Sequence, residues 1–373
     1  MKHKGQELAE PNLVFYDKRG MGTVTSTHPV LGMVSNRPYD YPLTLKGLAP
    51  SLRIGIVCPR SETSILRTYL QNANQSHRPA PSETDYLIDY PGFQQAYGLP
   101  IEIPEPGSPG WVVCAEPAEL SGRGAVSTAQ RITGALEALY SSYAPHVVLI
   151  FFPRRWDQVR GYRNDEERFD VHDFVKAYAV QRGVATQFLV EETLSDAQQC
   201  RVWWWLSLAL YVKGMRTPWV LDRLDDETAF IGLGFSIDRY AEKGGHVVLG
   251  CSHIYSSRGE GLQYRLSKVE NPIIRGKNPF MSRDDARRTG ENIRQIFFEG
   301  RSKLPRRVVL HKRTPFLKDE REGLLDGLGG VSEIDMLEIQ EDVALRYVAS
   351  MVRHDGSFDE DNYPVRRGTC REA

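Results

Sequence analysis

The pattern of hydrophobic and polar positions changes near residue 215. Before that point, short apolar runs such as HVVLIFFP (146–153) alternate with segments such as 127–143, whose apolar residues recur at helical spacing. An uninterrupted apolar run is typical of a strand buried on both faces, and alternating strands and helices favour a parallel sheet covered by helices. We therefore predict a doubly wound, Rossmann-like α/β domain over residues 49–215, preceded by an N-terminal segment over residues 1–48.

After residue 215 the predicted elements follow a different order. Three strands joined by short turns are followed by helix, strand, helix and strand, at residues 228–238, 246–256, 261–269, 282–300, 307–312, 317–328 and 334–340. An antiparallel meander with this continuation is the strand order of an RNase H-like fold. The second domain is therefore predicted over residues 216–373.

Composition limits the class of protein. The chain has 373 residues, 41% hydrophobic and 25% charged, which suits two soluble domains. Five cysteines without a CxxC spacing indicate reduced thiols and a cytoplasmic protein. The longest apolar run, 202–212, is too short to cross a bilayer, so no membrane partner is predicted. Within that run, at least one of Trp203, Trp204 and Trp205 is expected in the core, and another could face a partner.

Four polar residues mark the end of the first predicted domain. His172 and Lys176 are spaced for one face of a helix, Gln187 lies on the next predicted strand, and Lys213 ends the helix predicted over 195–213, which Ser195 and Gln198 would open as a capping box. Ligands of open α/β sheets bind at the strand ends in this neighbourhood. Lysine supplies a point charge, and histidine and glutamine supply directed donors, so the set suits a phosphate.

A structural explanation of the same residues is also open. His172 could be a histidine on the helix surface, and Lys176 could pair with Asp173. Lys213 could simply complement the C-terminal end of its helix. Spacing alone does not decide between these alternatives.

The four residues and their surroundings resemble the MID domain of short prokaryotic Argonaute proteins. In that family a Tyr or His, a Lys four residues later, a Gln and a second Lys bind the 5′-phosphate of a guide strand, which matches His172, Lys176, Gln187 and Lys213. The stretches RGVATQFLVEETL and LSLALYVKGMRTPWVL are similar to the segment leading from MID into PIWI, and THPVLGMVSNRPYD is similar to the segment before MID. The resemblance implies a MID domain followed by a PIWI domain with an RNase H-like fold.

The resemblance also implies that the PIWI-like domain does not cleave. An RNase H-like nuclease needs clustered carboxylates to hold two cations. The matching positions carry Gly234, Lys277 and Lys312, so no catalytic or metal-binding residue is assigned and the protein is not expected to be an enzyme. A displaced carboxylate site remains an alternative, formed from Asp238, Glu260, Asp319 and Asp335.

A basic segment favours binding of nucleic acid. Residues 275–313 contain twelve Lys or Arg and four acids, a net charge of +8, in a chain whose net charge is −1. Backbone phosphates attract such a patch regardless of sequence, and selection would come from guide–target pairing. The predicted backbone contacts are Arg275, Lys277, Arg283, Arg287, Arg306, Lys312 and Arg313.

Several expectations come from the family alone. The resemblance implies a short 5′-phosphorylated guide, a complementary target strand, and a separate effector subunit of the TIR or sirtuin-like type fused to an APAZ region. No cofactor follows from the residues, and Mg²⁺ at the guide 5′-phosphate is an expectation of the family. The PIWI-like region is expected to be incomplete at its C-terminus. The alternative outside this family is an α/β protein or enzyme that binds a small molecule.

Overall fold

A computed structural model describes most of the chain, which forms two compact units. The described residues are 6–7, 9–44, 46–84, 87–122, 124–164, 168–222, 227–238, 246–256, 265–276, 278–340, 350–360 and 369–370. One unit is Leu13–Val220, and the other joins Met1–Asn12 to Leu221–Ala373.

The elements alternate between strand and helix in the first half of the chain. The strands are β1 (Gln6–Glu7), β2 (Leu13–Tyr16), β3 (Thr23–Ser26), β4 (Leu52–Pro59), β5 (Ile101–Glu102), β6 (Trp111–Cys114), β7 (Val147–Phe152), β8 (Gly161–Arg163), β9 (Arg168–Asp170), β10 (Ala185–Val190) and β11 (Val220–Leu221). The helices are α1 (Pro29–Ser35), α2 (Tyr41–Thr44), α3 (Thr63–Gln71), α4 (Phe93–Tyr97), α5 (Gly124–Ser142), α6 (Val171–Gln181), α7 (Glu191–Ser195) and α8 (Gln199–Lys213).

The second half begins with strands. These are β12 (Thr228–Asp238), β13 (His246–Ser256), β14 (Arg265–Lys268), β15 (Ile273–Arg275), β16 (Asn278–Phe280), β17 (Arg307–Lys312), β18 (Glu333–Glu338), β19 (Ser350–Val352), β20 (Phe358–Glu360) and β21 (Thr369–Cys370). The helices are α9 (Arg283–Arg301) and α10 (Lys318–Gly327).

A parallel sheet forms the centre of the unit Leu13–Val220. Its order is β10-β7-β4-β5, and β6 also pairs with β4. Every residue of β7 is buried, so this strand is covered on both faces. Val148, Ile150 and Phe152 pack in one cluster with α5 and α6. The predicted doubly wound α/β fold is confirmed, and β10 lies at one end of the sheet.

Local signals fix the ends of α6. Asp170 precedes the helix, and its carboxylate accepts a hydrogen bond from the Asp173 backbone N–H at 3.1 Å. Gly183, with a φ of 67°, takes the left-handed conformation just after the helix. Val175 is buried, whereas Phe174 is exposed.

The helix predicted over 195–213 is divided in two. Ser195 ends α7 instead of opening a helix, and α8 starts at Gln199 without a side-chain cap from Gln198. The predicted capping box is therefore wrong. Asp196 forms a local turn instead: its carboxylate accepts from the Gln198 backbone N–H at 2.7 Å, in the connection between the two helices.

The sheet of the second unit has the order β14-β13-β12-β17-β18. The pairs β12–β13 and β13–β14 are antiparallel, whereas β17 runs parallel to both β12 and β18. This is the strand order predicted for an RNase H-like fold. One face of the sheet packs on α9 and α10 through a buried cluster that includes Ile231, Leu310 and Ile293.

Glycines allow α9 and α10 to approach closely. A Cβ added at Gly323 would overlap the carbonyl oxygen of Arg283, and one added at Gly327 would overlap that of Arg287. The side chain of Ser282 caps α9 by accepting from the Asp285 backbone N–H at 3.2 Å. Within the described ranges, no helix has the length and hydropathy needed to cross a membrane.

Candidate anion-binding site

Two lysine ammonium groups converge on the edge of the parallel sheet. Lys176 from α6 and Lys213 from α8 both donate to the backbone carbonyl of Thr186 on β10, the Lys213 bond measuring 2.9 Å. Lys213 also donates to Gln187 Oε1 at 2.5 Å. The fold therefore brings three of the four predicted residues, Lys176, Gln187 and Lys213, into one hydrogen-bonded cluster.

The cluster holds more positive charge than its partners neutralise. Among the described residues neither ammonium forms an ion pair, and both use uncharged oxygens as acceptors. Burial, and then the nearby Lys176, lower the pKa of Lys213 to about 8. Burial also lowers the pKa of Lys176. An anion placed here would relieve both effects, because it supplies the missing countercharge.

His172 joins this cluster through an aromatic ring. The centroid of its ring lies 4.9 Å from that of Phe188, and Lys176 Nζ lies 6.0 Å from the same Phe188 centroid. His172 Nδ1 is 3.2 Å from Asp173 Oδ1, and the side chain is half exposed. Lys176 does not take Asp173 as its partner, because it bonds to Thr186 instead.

The sequence did not predict two residues that contact the cluster, Thr186 and Phe188. Thr186 contributes only its backbone carbonyl, for which a sequence carries no signal. Phe188 was not predicted to belong to the site, although it directly follows the predicted ligand Gln187 on the same strand. Its aromatic face adds a cation–π contact that holds Lys176 beside the histidine.

A cavity of about 320 Å³ lies at the carboxyl ends of β7 and β10, and none of Lys176, Gln187 and Lys213 lines it. His172 and Phe188 are common to the cavity and the cluster. The remaining wall combines apolar and charged side chains, from Phe152, Arg160, Arg168, Asp170, Val171, Asp173 and Val190. The carboxyl ends of parallel strands are the usual position of a ligand in this architecture.

One group of side chains could hold a metal ion. Asp170, His172 and Asp173 each offer a ligand atom, all within 4.8 Å of one another. Two carboxylates and an imidazole suit a transition metal better than Mg²⁺, which prefers an all-oxygen shell. The Mg²⁺ expected from the resemblance is therefore a poor match for these donors.

The second unit places Gly234 and Lys312 on opposite faces of its sheet. Lys312 is in register with Leu233, and both side chains are buried. Residues that follow one another on a strand face opposite ways, so Gly234 faces away from Lys312. The next residue of the chain, Arg313, is exposed like Gly234. Side chains at positions 234 and 312 therefore could not both be ligands of one cation.

Lys312 lies in a closed, aromatic-lined environment. Its Nζ is 2.6 Å from Glu320 Oε2, and neither side chain is more than 1% exposed. The centroids of the Phe316, Phe280 and Phe235 rings lie 4.8, 5.0 and 5.8 Å from the ammonium. Burial lowers the pKa of Lys312 and Glu320 opposes that shift. The prediction that Lys312 contacts a nucleic-acid backbone is corrected, because a buried, paired ammonium presents no charge at the surface.

Much of the basic segment is paired within the protein. Arg283 contacts Asp326 at 2.9 Å, Arg287 contacts Glu291 at 2.8 Å, and Arg306 contacts Glu333 at 3.2 Å. The local excess of positive charge is thus smaller than the sequence count, because acids outside residues 275–313 contribute. Two predicted contacts, Arg275 and Arg313, are exposed. Lys277 lies outside the described residues.

The proposed displaced carboxylates do not form a described cluster. Asp335 is paired with Arg307 at 2.6 Å, and Asp319 lies in the first turn of α10. The side chain of Asp238 and the whole of Glu260 lie outside the described part of the chain.

Comparison with solved structures identifies the architecture. The chain superposes on A. aeolicus Argonaute with a TM-score of 0.54 and 13% identity, covering 100% of this chain and 43% of that chain. The fold is Argonaute-like. A structure of Clostridium butyricum Argonaute bound to a guide DNA and a 19-mer target DNA gives a TM-score of 0.55 and 14% identity, covering 92% and 41%.

A third structure, Aa-Ago with externally bound siRNA, gives a TM-score of 0.53 at 14% identity, covering 91% of this chain and 41% of that chain. This chain therefore spans about two fifths of the length of the Argonaute structures that it matches. The sequence matches no protein-family model and no curated protein. At such identities the superpositions establish an Argonaute-like α/β fold and no more.

Proposed function

We propose that this protein binds the 5′-phosphate of a short guide strand and recognises a complementary target without cleaving it. The observation that carries the proposal is the convergence of Lys176 and Lys213 on the Thr186 carbonyl, with no ion-pair partner among the described residues. A terminal phosphate would accept from both ammonium groups and from Gln187. The first nucleoside would then enter the cavity at the carboxyl ends of β7 and β10, beside the rings of His172 and Phe188.

The decisive experiment compares two strands that differ at one end. Affinity for a short single strand is measured with a 5′-phosphate and with a 5′-hydroxyl, in wild type and in Lys176→Ala/Lys213→Ala. Each charged hydrogen bond contributes about 1.5–3 kcal/mol, so the double variant is expected to bind the phosphorylated strand at least about 100-fold more weakly. The control is Lys318→Ala, which removes an exposed lysine paired with Glu322, outside the basic segment 275–313.

Equal affinity for the two strands in the wild type would remove the basis for a phosphate site. The α/β small-molecule alternative would then take its place, with the 320 Å³ cavity as its site. Nucleic acid extracted from the protein after expression in its host gives an independent check, because a guide should carry a 5′-phosphate that the double variant fails to retain.

The proposal that cleavage is absent rests on the residues at the expected acid positions. Gly234 supplies no ligand, and Lys312 is buried against Glu320 on the other face of the sheet, so neither position offers a carboxylate to a cation. A guide-paired target incubated with Mg²⁺ or Mn²⁺ should stay intact. Metal-dependent cleavage that is lost in Asp238→Ala would establish the displaced carboxylate site instead.

We further propose that target recognition is passed to a separate effector protein. The support is the resemblance of the stretches around His172, Gln187 and Lys213 to short Argonautes, which implies such a partner. An effector fused to an APAZ region, of the TIR or sirtuin-like type, is the expected partner. Co-purification of such a subunit, and its activation only when guide and target are both present, would test this step.

A further inference from the structure

The carboxamide of Gln187 is held at both ends. Its Oε1 accepts from Lys213 Nζ at 2.5 Å, and its Nε2 donates to the Phe188 carbonyl at 2.9 Å. A lysine ammonium can only donate and a backbone carbonyl can only accept. Each partner therefore fixes independently which end of the amide carries the oxygen. The acceptor Oε1 faces the Lys213 ammonium.

This orientation is the opposite of the one that a bound anion requires. A phosphate that accepts from Gln187 as well as from Lys213 needs Nε2 on that side of the amide, where Oε1 now lies. A half-turn about the last side-chain torsion would direct Nε2 toward the anion. The same half-turn would break the bond to the Phe188 carbonyl, so one amide cannot satisfy both arrangements.

We propose that Gln187 is a two-position switch in the phosphate site. Without ligand its oxygen accepts from Lys213, and with ligand its amide nitrogen donates to the phosphate. This inference rests on the proposed function and adds the way in which the site is regulated. A terminal hydroxyl carries no charge with which to displace the amide oxygen, whereas a phosphate monoester does. The switch therefore contributes to selection of the strand end.

The test follows the side-chain amide of Gln187 by NMR. The deuterated, ¹⁵N-labelled full chain is titrated with a short 5′-phosphorylated single strand and, separately, with its 5′-hydroxyl counterpart. The Gln187 resonances are assigned by their loss in Gln187→Leu. They are expected to shift with the phosphorylated strand alone. Gln199, whose Nε2 donates to the Asp196 carbonyl at 2.7 Å, is the internal control and should not move.

The possible outcomes separate the switch from the proposed function. If the phosphorylated strand binds, as measured by fluorescence anisotropy, and the Gln187 resonances stay in place, the switch is refuted and the phosphate site stands. If the phosphorylated strand does not bind, the proposed function fails and the switch fails with it. A shift caused equally by the hydroxyl strand would refute the role in selecting the strand end.

Two variants test the switch, one by its affinity for the phosphorylated strand and one by its binding rates. Gln187→Glu places a carboxylate against Lys213 that a phosphate cannot easily displace, so affinity for the phosphorylated strand should fall at least about tenfold. Gln187→Leu removes both the competing oxygen and the donor, so association and dissociation should both become faster. Slower association of Gln187→Leu would overturn the proposal, because Gln187 would then only assist binding.

Discussion

The Lys312 ammonium lies 2.6 Å from the Glu320 carboxylate, and solvent reaches neither side chain. Glu320 also accepts from the backbone N–H groups of Met281 and Leu317, at 2.9 and 3.0 Å. The pair thus ties the end of β17 to the start of α10 and to the segment before α9. In this position Lys312 stabilises the second unit.

Removing the lysine should therefore destabilise the protein strongly. Lys312→Met leaves a buried carboxylate without its cation, and we expect a loss of about 3–5 kcal/mol in the free energy of unfolding. Denaturant unfolding followed by circular dichroism measures the change. Lys312→Met/Glu320→Gln should recover part of it, since a neutral amide is less costly to bury than an unpaired charge.

A matched surface pair provides the control for this prediction. Arg287 and Glu291 form an exposed ion pair at 2.8 Å on α9, so Arg287→Ala should cost no more than about 0.5 kcal/mol. If Lys312→Met were as mild as Arg287→Ala, the lysine would not be the buried partner described above.

Affinity for a phosphorylated strand should fall as the pH rises through about 8. The pKa of Lys213 is lowered to about 8 by burial and by Lys176, so its ammonium is present below that pH and is lost above it. The phosphate is already a dianion at pH 7 and does not titrate in this range. We expect roughly tenfold weaker binding at pH 9 than at pH 7. Lys213→Arg stays charged and should show a much flatter profile; a flat wild-type profile would contradict the assignment.

The close approach of α9 and α10 predicts opposite effects for two glycine substitutions. Gly323→Ala would set a Cβ against the Arg283 carbonyl oxygen and should destabilise the protein by about 1–3 kcal/mol. Gly134 lies within α5, and an added Cβ there meets no atom within 4 Å. Gly134→Ala should stabilise by roughly 0.5–1 kcal/mol. Thermal unfolding of both variants checks the two predictions, and stabilisation by Gly323→Ala would argue against the helix contact.

The basic segment should contribute through its exposed arginines. Arg275→Ala should reduce the slope of log affinity against log salt for a nucleic-acid duplex by about 1, as expected for one phosphate contact. Arg287→Ala should change the slope less, because Glu291 already neutralises this arginine. Binding measured at several salt concentrations distinguishes the two. A larger effect from Arg287 than from Arg275 would show that the ion pairs open when nucleic acid binds.

Periodicity was sufficient to predict the long strands and helices of the second unit. The strand predicted over 307–312 has those bounds, and the helix predicted over 282–300 runs from Arg283 to Arg301. Such segments are long or uninterrupted, so the hydrophobic pattern of each indicates a single type of element. The start of α8 was missed because the Asp196 carboxylate bonds to the Gln198 backbone N–H, a local turn that interrupts the predicted helix.

The candidate site was predictable in part. Lys176, Gln187 and Lys213 come together as expected, because helix spacing and strand order bring them to one edge of the sheet. The Thr186 carbonyl and the partner of Lys312 were not predictable. A sequence does not show which backbone carbonyls will accept a hydrogen bond from a side chain. The burial of Lys312 depends on Glu320, which lies eight residues later, on α10.

The position of β10 at the end of its sheet gives the cluster a second consequence. An unprotected strand edge can recruit a strand from another molecule, and proteins commonly block such edges with lysine. The carbonyls of Thr186 and Phe188 are already engaged by Lys176, Lys213 and Gln187. The residues proposed to hold the guide therefore also cover the outer edge of β10. Lys176→Ala/Lys213→Ala should then aggregate more readily than the wild type, in addition to losing the bound strand.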